Sequence, residues 1–105
     1  MDDAALGLDV ATPLGFRVVY SDAYWQRIIT IKRPPMRSRK MDVECTLSDP
    51  DEIRRSVGDS SVLLFHRRFG PRWVCAVVKR TEDKGYLITT YPADKVKQGD
   101  LIWKK

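Results

Sequence analysis

The segment Leu63-Leu64-Phe65-His66-Arg67-Arg68-Phe69-Gly70-Pro71-Arg72-Trp73-Val74-Cys75-Ala76-Val77-Val78-Lys79, LLFHRRFGPRWVCAVVK, decides the fold. Two runs rich in Leu, Val, Phe and Trp flank Gly70-Pro71, a connection short enough for an antiparallel hairpin. The spacing therefore predicts strands over 62–69 and 72–80. Side chains alternate along a strand, so Val62, Leu64, His66 and Arg68 share one face, while Leu63, Phe65, Arg67 and Phe69 share the other. His66, the one histidine of the chain, is thus co-facial with Arg68 and not with Arg67.

Downstream, Tyr86–Tyr91 alternates as a third strand after the turn Glu82-Asp83-Lys84-Gly85. The tail holds a short turn about 94–97, then Gly99 and an edge segment Leu101-Ile102-Trp103. Upstream, Phe16–Tyr20 has strand composition, and Ser21-Asp22 supplies the N-cap of a helix through AYWQRIITIKR, with Tyr24, Ile28 and Ile31 on one face and Trp25 and Ile29 beside them. Pro34-Pro35 ends that helix. A second helix is expected over about 41–48, with Val43, Cys45 and Leu47 as its apolar side. Asp49-Pro50-Asp51-Glu52 reads as a third helix start, with a capping aspartate, a proline at the first helical position and a capping-box glutamate. Residues 1–13 read as a flexible arm and 14–105 as a single domain. The expected class is α+β: a short N-terminal strand, then two to three helices packed on one face of an antiparallel sheet of about four strands.

At 105 residues the chain suits one domain, and 43% hydrophobic with 31% charged residues is the balance of a folded protein. No apolar run approaches the roughly 18 residues that span a bilayer, and the start has no basic region followed by an apolar core, so no membrane partner and a cytoplasmic location are the default expectations. Cys45 and Cys75 sit in apolar patterns, and no Cys or His pair has zinc-ligand spacing. Two buried free thiols, no metal and no cofactor are expected.

The net charge is +5, unevenly spread. Six Lys/Arg and no acid lie from Arg27 to Lys40; His66, Arg67, Arg68, Arg72, Lys79 and Arg80 lie from Ser60 to Thr81, again without an acid; acids concentrate from Asp42 to Asp59. Such segregation predicts one strongly positive face and a polyanionic partner, RNA in the first place.

If the hairpins are regular, His66, Arg67, Arg68 and Arg72 gather at one sheet end near Thr89, Thr90 and Tyr91. A histidine titrating near neutrality moves protons, arginines hold phosphate oxygens, and a phenol or hydroxyl orients the substrate, so this set suits phosphodiester cleavage without a metal. His66, Arg68 and Tyr91 are the candidate catalytic groups. Arg27, Lys32, Arg33, Arg67, Arg72, Thr89 and Thr90 are the candidate nucleic-acid contacts. The plainer alternatives are that Arg67 and Arg68 guard a sheet edge, and that Trp25, Trp73 and Trp103 pack rather than stack on bases.

Four segments, VVYSDAYWQRIITIKRP, LSDPDEIRRSVGDSSVLLFHRR, WVCAVVK and GYLITTYPADKVKQGDLIWKK, taken together resemble small bacterial and phage-associated proteins of the barnase–EndoU–colicin–RelE-like nuclease superfamily, over roughly residues 16–105. The most specific part is the ordered pair DPDEI-R-x-S and I-T-T-Y-P-x-D-K-V-K-x-G. The resemblance implies a curved sheet and metal-independent RNA cleavage, often as the toxin of a pair with an acidic antitoxin. It matches the family's basic-aromatic strand end to Phe65-His66-Arg67-Arg68 and its threonine–aromatic end to Thr89-Thr90-Tyr91. The family helix commonly carries histidines where this chain has Arg27 and Arg33. Two functions follow as expectations: a toxin-like ribonuclease using His66, or a catalytically degenerate module that binds nucleic acid or a protein partner on the same scaffold.

Overall fold

The computed structural model describes residues 8–105; residues 1–7, and the side chains of Leu8, Lys32 and Pro34, lie outside the description. The class is α+β as expected, with a larger sheet. Seven strands, β1 (Leu8–Ala11), β2 (Arg17–Tyr20), β3 (Glu52–Ser56), β4 (Val62–Phe69), β5 (Arg72–Arg80), β6 (Lys84–Ala93) and β7 (Gly99–Lys104), form one mixed sheet in the order β1-β2-β6-β5-β4-β3-β7. Two helices, α1 (Asp22–Arg27) and α2 (Lys40–Ser48), lie between β2 and β3 in the chain.

The β4–β5 hairpin forms as the sequence predicts. Phe69 pairs with Arg72 across Gly70-Pro71, and Gly70 takes φ +64°, a left-handed conformation that glycine adopts without a Cβ clash. Strand β2 runs parallel to β6 over three pairs, including Val18 with Gly85. A Cβ at Gly85 would stand 2.7 Å from both Phe16 and Val78 side-chain atoms, so only glycine admits this approach.

Three expectations are corrected. Of the segment read as an arm, Leu8–Ala11 is an edge strand paired antiparallel to β2, closed by Thr12, whose N–H and hydroxyl both donate to the Phe16 carbonyl at 3.0 and 2.8 Å. The third helix does not form: Glu52–Ser56 is strand β3, hydrogen-bonded to β4 on one side and β7 on the other. Two long-range ladders outweigh the local capping pattern. The Asp51 carboxylate accepts the Arg68 backbone N–H at 2.7 Å, and Asp49 binds Arg67 and Lys105, so neither caps a helix. Third, the sheet has seven strands rather than about four and is mixed rather than antiparallel, because the sequence pattern marks neither β1 nor β3 as a strand and β2 joins β6 in parallel.

Helix α1 starts as read, with the Ser21 hydroxyl accepting the Tyr24 N–H at 3.1 Å. It continues as a π-helical turn over Ile28–Lys32, closed by the Arg33 N–H donating to the Ile28 carbonyl at 2.6 Å. The wider turn changes the helical phase. Trp25, Ile28 and Ile29 stay buried, while Ile31 turns outward and is 71% exposed. In α2 the buried residues are Val43, Thr46 and Leu47, with the Thr46 hydroxyl satisfied by the Asp42 carbonyl at 2.7 Å. Cys45, expected inside, is exposed.

The register sorts the sheet into two faces. Leu63, Phe65, Val74, Ala76 and Val78 join Phe16, Ile28, Val43 and Leu47 in the main core beneath the helices. Leu64, His66, Cys75, Val77, Thr89 and Tyr91 occupy the opposite face by alternation. Strands β6 and β7 are separated in the sheet by β5, β4 and β3, so residues 94–98 must cross it. They cross on this second face, where the Lys97 N–H meets His66.

Candidate nucleic-acid interface

His66 sits on β4 between Glu52 of β3 and Cys75 of β5, and it is fully buried. Its Nε2 accepts the Lys97 backbone N–H at 3.1 Å. An imidazole nitrogen that accepts cannot carry a proton, so the ring is neutral with its proton on Nδ1. Burial pushes its pKa from 6.5 to about 4; Arg54 pushes the same way, and Glu52 and the Leu64 carbonyl oppose. The ring also stands edge-on to Trp73, centroids 6.4 Å apart at 89°. A general base must reach the proton it removes. The structure instead makes His66 the post to which the 94–98 crossover is fastened.

The other candidate residues divide. Arg68 shares the His66 face, with its Nε–H donating to the Gly70 carbonyl at 2.9 Å and its guanidinium 5.6 Å from the Trp73 ring centre. Arg67 points to the helix side and binds the Asp49 carboxylate at 2.8 Å and the Asp49 carbonyl at 2.6 Å. Arg72 pairs with Asp94 at 3.0 Å on exposed ground. Thr90 is fully buried on the helix side, its hydroxyl donating to the Cys75 carbonyl at 2.8 Å, so it is a packing residue. Thr89 is half-buried on the same face as Tyr91. Tyr91 is half-buried beside Cys75; burial holds its hydroxyl well above the usual phenol range, and the Arg33 guanidinium lies 5.2 Å from its ring centre. Arg27 is exposed in the last turn of α1. The side chain of Lys32 lies outside the described residues.

The segregation of charge along the sequence does not survive folding intact. Acids of the 42–59 stretch turn back onto the basic segments, with Arg39 pairing with Asp42 at 2.7 Å, Lys79 with Asp59 at 3.1 Å and Arg67 with Asp49, and they also bind Lys105 through Asp49 and Arg54 through Glu52. These pairings neutralise part of the basic charge that the sequence segregates.

Two depressions flank the crossover. One, of roughly 480 Å³, is lined by Arg33, Tyr91, Pro92 and Lys97. The other, of roughly 530 Å³, is lined by Asp51, Glu52, Arg68, Trp73, Lys104 and Lys105. Each combines an aromatic ring, a guanidinium within 5.6 Å of the ring centre and at least one exposed lysine. In the second depression the carboxylates already have work: Asp51 holds the Arg68 N–H and Glu52 holds Arg54. Lys97, Lys104 and Lys105 lie outside the two acid-free basic runs, 27–40 and 60–81, on which the basic sequence-based candidates fall. The lysines of DKVKQGDLIWKK were the available signal.

Comparison with protein-family models, with curated proteins and with solved structures gives no match to this chain. The likeness to the nuclease superfamily rests on the quoted motifs. Among the described residues, no helix is long and apolar enough to cross a membrane.

Proposed function

We propose that the chain is a nucleic-acid-binding module that takes its ligand on the crossover side of the sheet and does not use His66 for proton transfer. The observation that carries this reading is the pair of aromatic–guanidinium depressions with Lys97, Lys104 and Lys105 at their margins. Flat rings next to cations are the chemistry that meets bases and phosphates together. Metal-independent RNA cleavage, which the motif resemblance implies, has less support. The one imidazole is buried and neutral at pH 7, and the Tyr91 phenol keeps its proton.

A salt titration against RNA and DNA oligonucleotides tests the reading. Binding should weaken linearly in log–log form, with a slope of about −0.7 per phosphate contacted on a single strand. Absence of binding at low ionic strength would remove the proposal. A parallel incubation with RNA in EDTA decides the enzymatic alternative. Cleavage by the wild-type chain that is abolished in Tyr91→Phe and Arg33→Ala would make the protein a ribonuclease with a proton carrier other than His66.

A further inference from the structure

The three tryptophans are used in different ways. Trp25 belongs to the core and Trp103 packs against it, whereas Trp73 joins neither group and stands half-buried on the crossover face. Its neighbours are the His66 ring, edge-on at 6.4 Å between centroids, and the Arg68 guanidinium, 5.6 Å from its ring centre. The roughly 530 Å³ depression that it lines shares no residue with the one beside Tyr91, and the crossover runs between them. Two cations of this depression are uncompensated. Among the described residues, Arg54, Arg67 and Lys105 hold carboxylates, but Arg68 and Lys104, on either side of the start of β3, hold none. The two carboxylates between them are already engaged, Glu52 by the Arg54 guanidinium and Asp51 by the Arg68 backbone N–H.

We propose that this depression is a site for one unpaired nucleotide, whose base lies on Trp73 and whose phosphate is held by Arg68 and Lys104. The proposal rests on the nucleic-acid reading of this face and names the unit that it takes. A half-buried indole outside the core offers a flat apolar surface, and any base can stack on it because every base has a π-face. The Arg68 guanidinium is planar and can turn from the ring to meet two phosphate oxygens at once, a stronger contact than the one it leaves. Lys104 adds a point charge from across β3. Bases inside a duplex have their faces covered by their neighbours, so the occupant is an unpaired base. With one aromatic ring among its lining residues, the depression holds one base and not a run. The edge of His66 fixes that ring, so the buried imidazole supports the site without touching the ligand.

Fluorescence anisotropy at fixed low salt tests the site with three labelled chains of equal length: a fully abasic chain, the same chain with a single central adenosine, and oligoadenylate. The single adenosine should tighten binding roughly tenfold over the abasic chain, and oligoadenylate should gain only the few-fold that its extra registers supply. Trp73→Leu should remove that gain, bringing the single-base chain to the abasic level, whereas Lys104→Ala should weaken all three chains alike. Thermal melts of both variants verify that they are folded. Should Trp73→Leu fail to fold, Trp73→Phe, which keeps a smaller ring, must give an intermediate gain. A single adenosine that adds nothing, a gain that survives Trp73→Leu, or oligoadenylate binding more than roughly tenfold tighter than the single-base chain overturns the one-nucleotide site while the general polyanion reading stands. If none of the three chains binds, the functional reading falls and the site with it.

Discussion

The two faces of the sheet are built on opposite plans. Under the helices, Leu63, Phe65, Val74, Ala76 and Val78 meet Phe16, Ile28, Val43 and Leu47 in an apolar core where any well-filled packing would be stabilising. Under the 94–98 crossover, Glu52, His66, Cys75 and Tyr91 are polar, and each has a specific neighbour: Arg54 for Glu52, the Lys97 N–H for His66, and one another for Cys75 and Tyr91. The first face supplies bulk stability through area. The second fixes where one five-residue segment crosses the sheet, and with it the position of Lys97 beside Tyr91. The contrast breaks most visibly at the centre of the apolar face. Phe65 is fully buried with its ring 6.4 Å from Phe16, so Phe65→Ala should cost about 3–5 kcal/mol. Denaturant unfolding measures it, and a loss below about 1 kcal/mol would mean that this face is not the core.

The polar face should instead reveal itself through pH. In the unfolded chain His66 takes a proton near its ordinary 6.5, whereas in the folded chain burial delays this to about 4. Between those values the unfolded state binds more protons. Stability is therefore complete above pH 6.5 and falls as pH drops toward 4, at up to about 1.4 kcal/mol per pH unit and roughly 3 kcal/mol in all. The carboxyls of Asp49 and Asp59 are held below the usual carboxylate range, so their own losses come at more acid pH and leave this window to the histidine. His66→Gln keeps an acceptor for the Lys97 N–H without a titrating ring, and its stability should be nearly flat from pH 6.5 to 4.5. An equal slope in both proteins would assign the acid loss elsewhere.

What the sequence disclosed follows the range of the forces involved. The β4–β5 hairpin, the Ser21 cap and the end of the first helix at Pro34-Pro35 are set by neighbours within a few residues, and all three were readable. Strand β3 was not, because Asp49-Pro50-Asp51-Glu52 satisfies every local rule for a helix start and is overruled by ladders to residues 63–66 and 99–104. Ile31 was placed inside by a 3.6-residue period that one π turn cancels. At the candidate site, alternation correctly joined His66 with Arg68 and parted them from Arg67. It carried no information on what covers that face, since the crossover reaches His66 from 31 residues away.

The smallest effect concerns the two thiols, and it reports on the crossover directly. Cys45 is exposed on the outer side of α2, and Cys75 is buried next to His66 with its thiol pushed up to about 11 by burial. A disulfide reagent should therefore modify one thiol promptly in the native protein and the second only as fast as its covering opens, because the reactive species is the thiolate and it must be reached. Removing the imidazole in His66→Ala leaves the Lys97 N–H without its acceptor, a penalty of about 1–3 kcal/mol charged to the closed crossover. Opening then becomes roughly tenfold more frequent, and the second thiol should react faster by a similar factor while the Cys45 rate stays fixed. The helix-side change Phe65→Ala exposes Cys75 only through unfolding as a whole, so its acceleration should track the denaturant midpoint, whereas that of His66→Ala should exceed what its midpoint explains. If both variants follow the midpoint alone, the His66–Lys97 bond does not govern access to that face, and the crossover is held by its flanking strands.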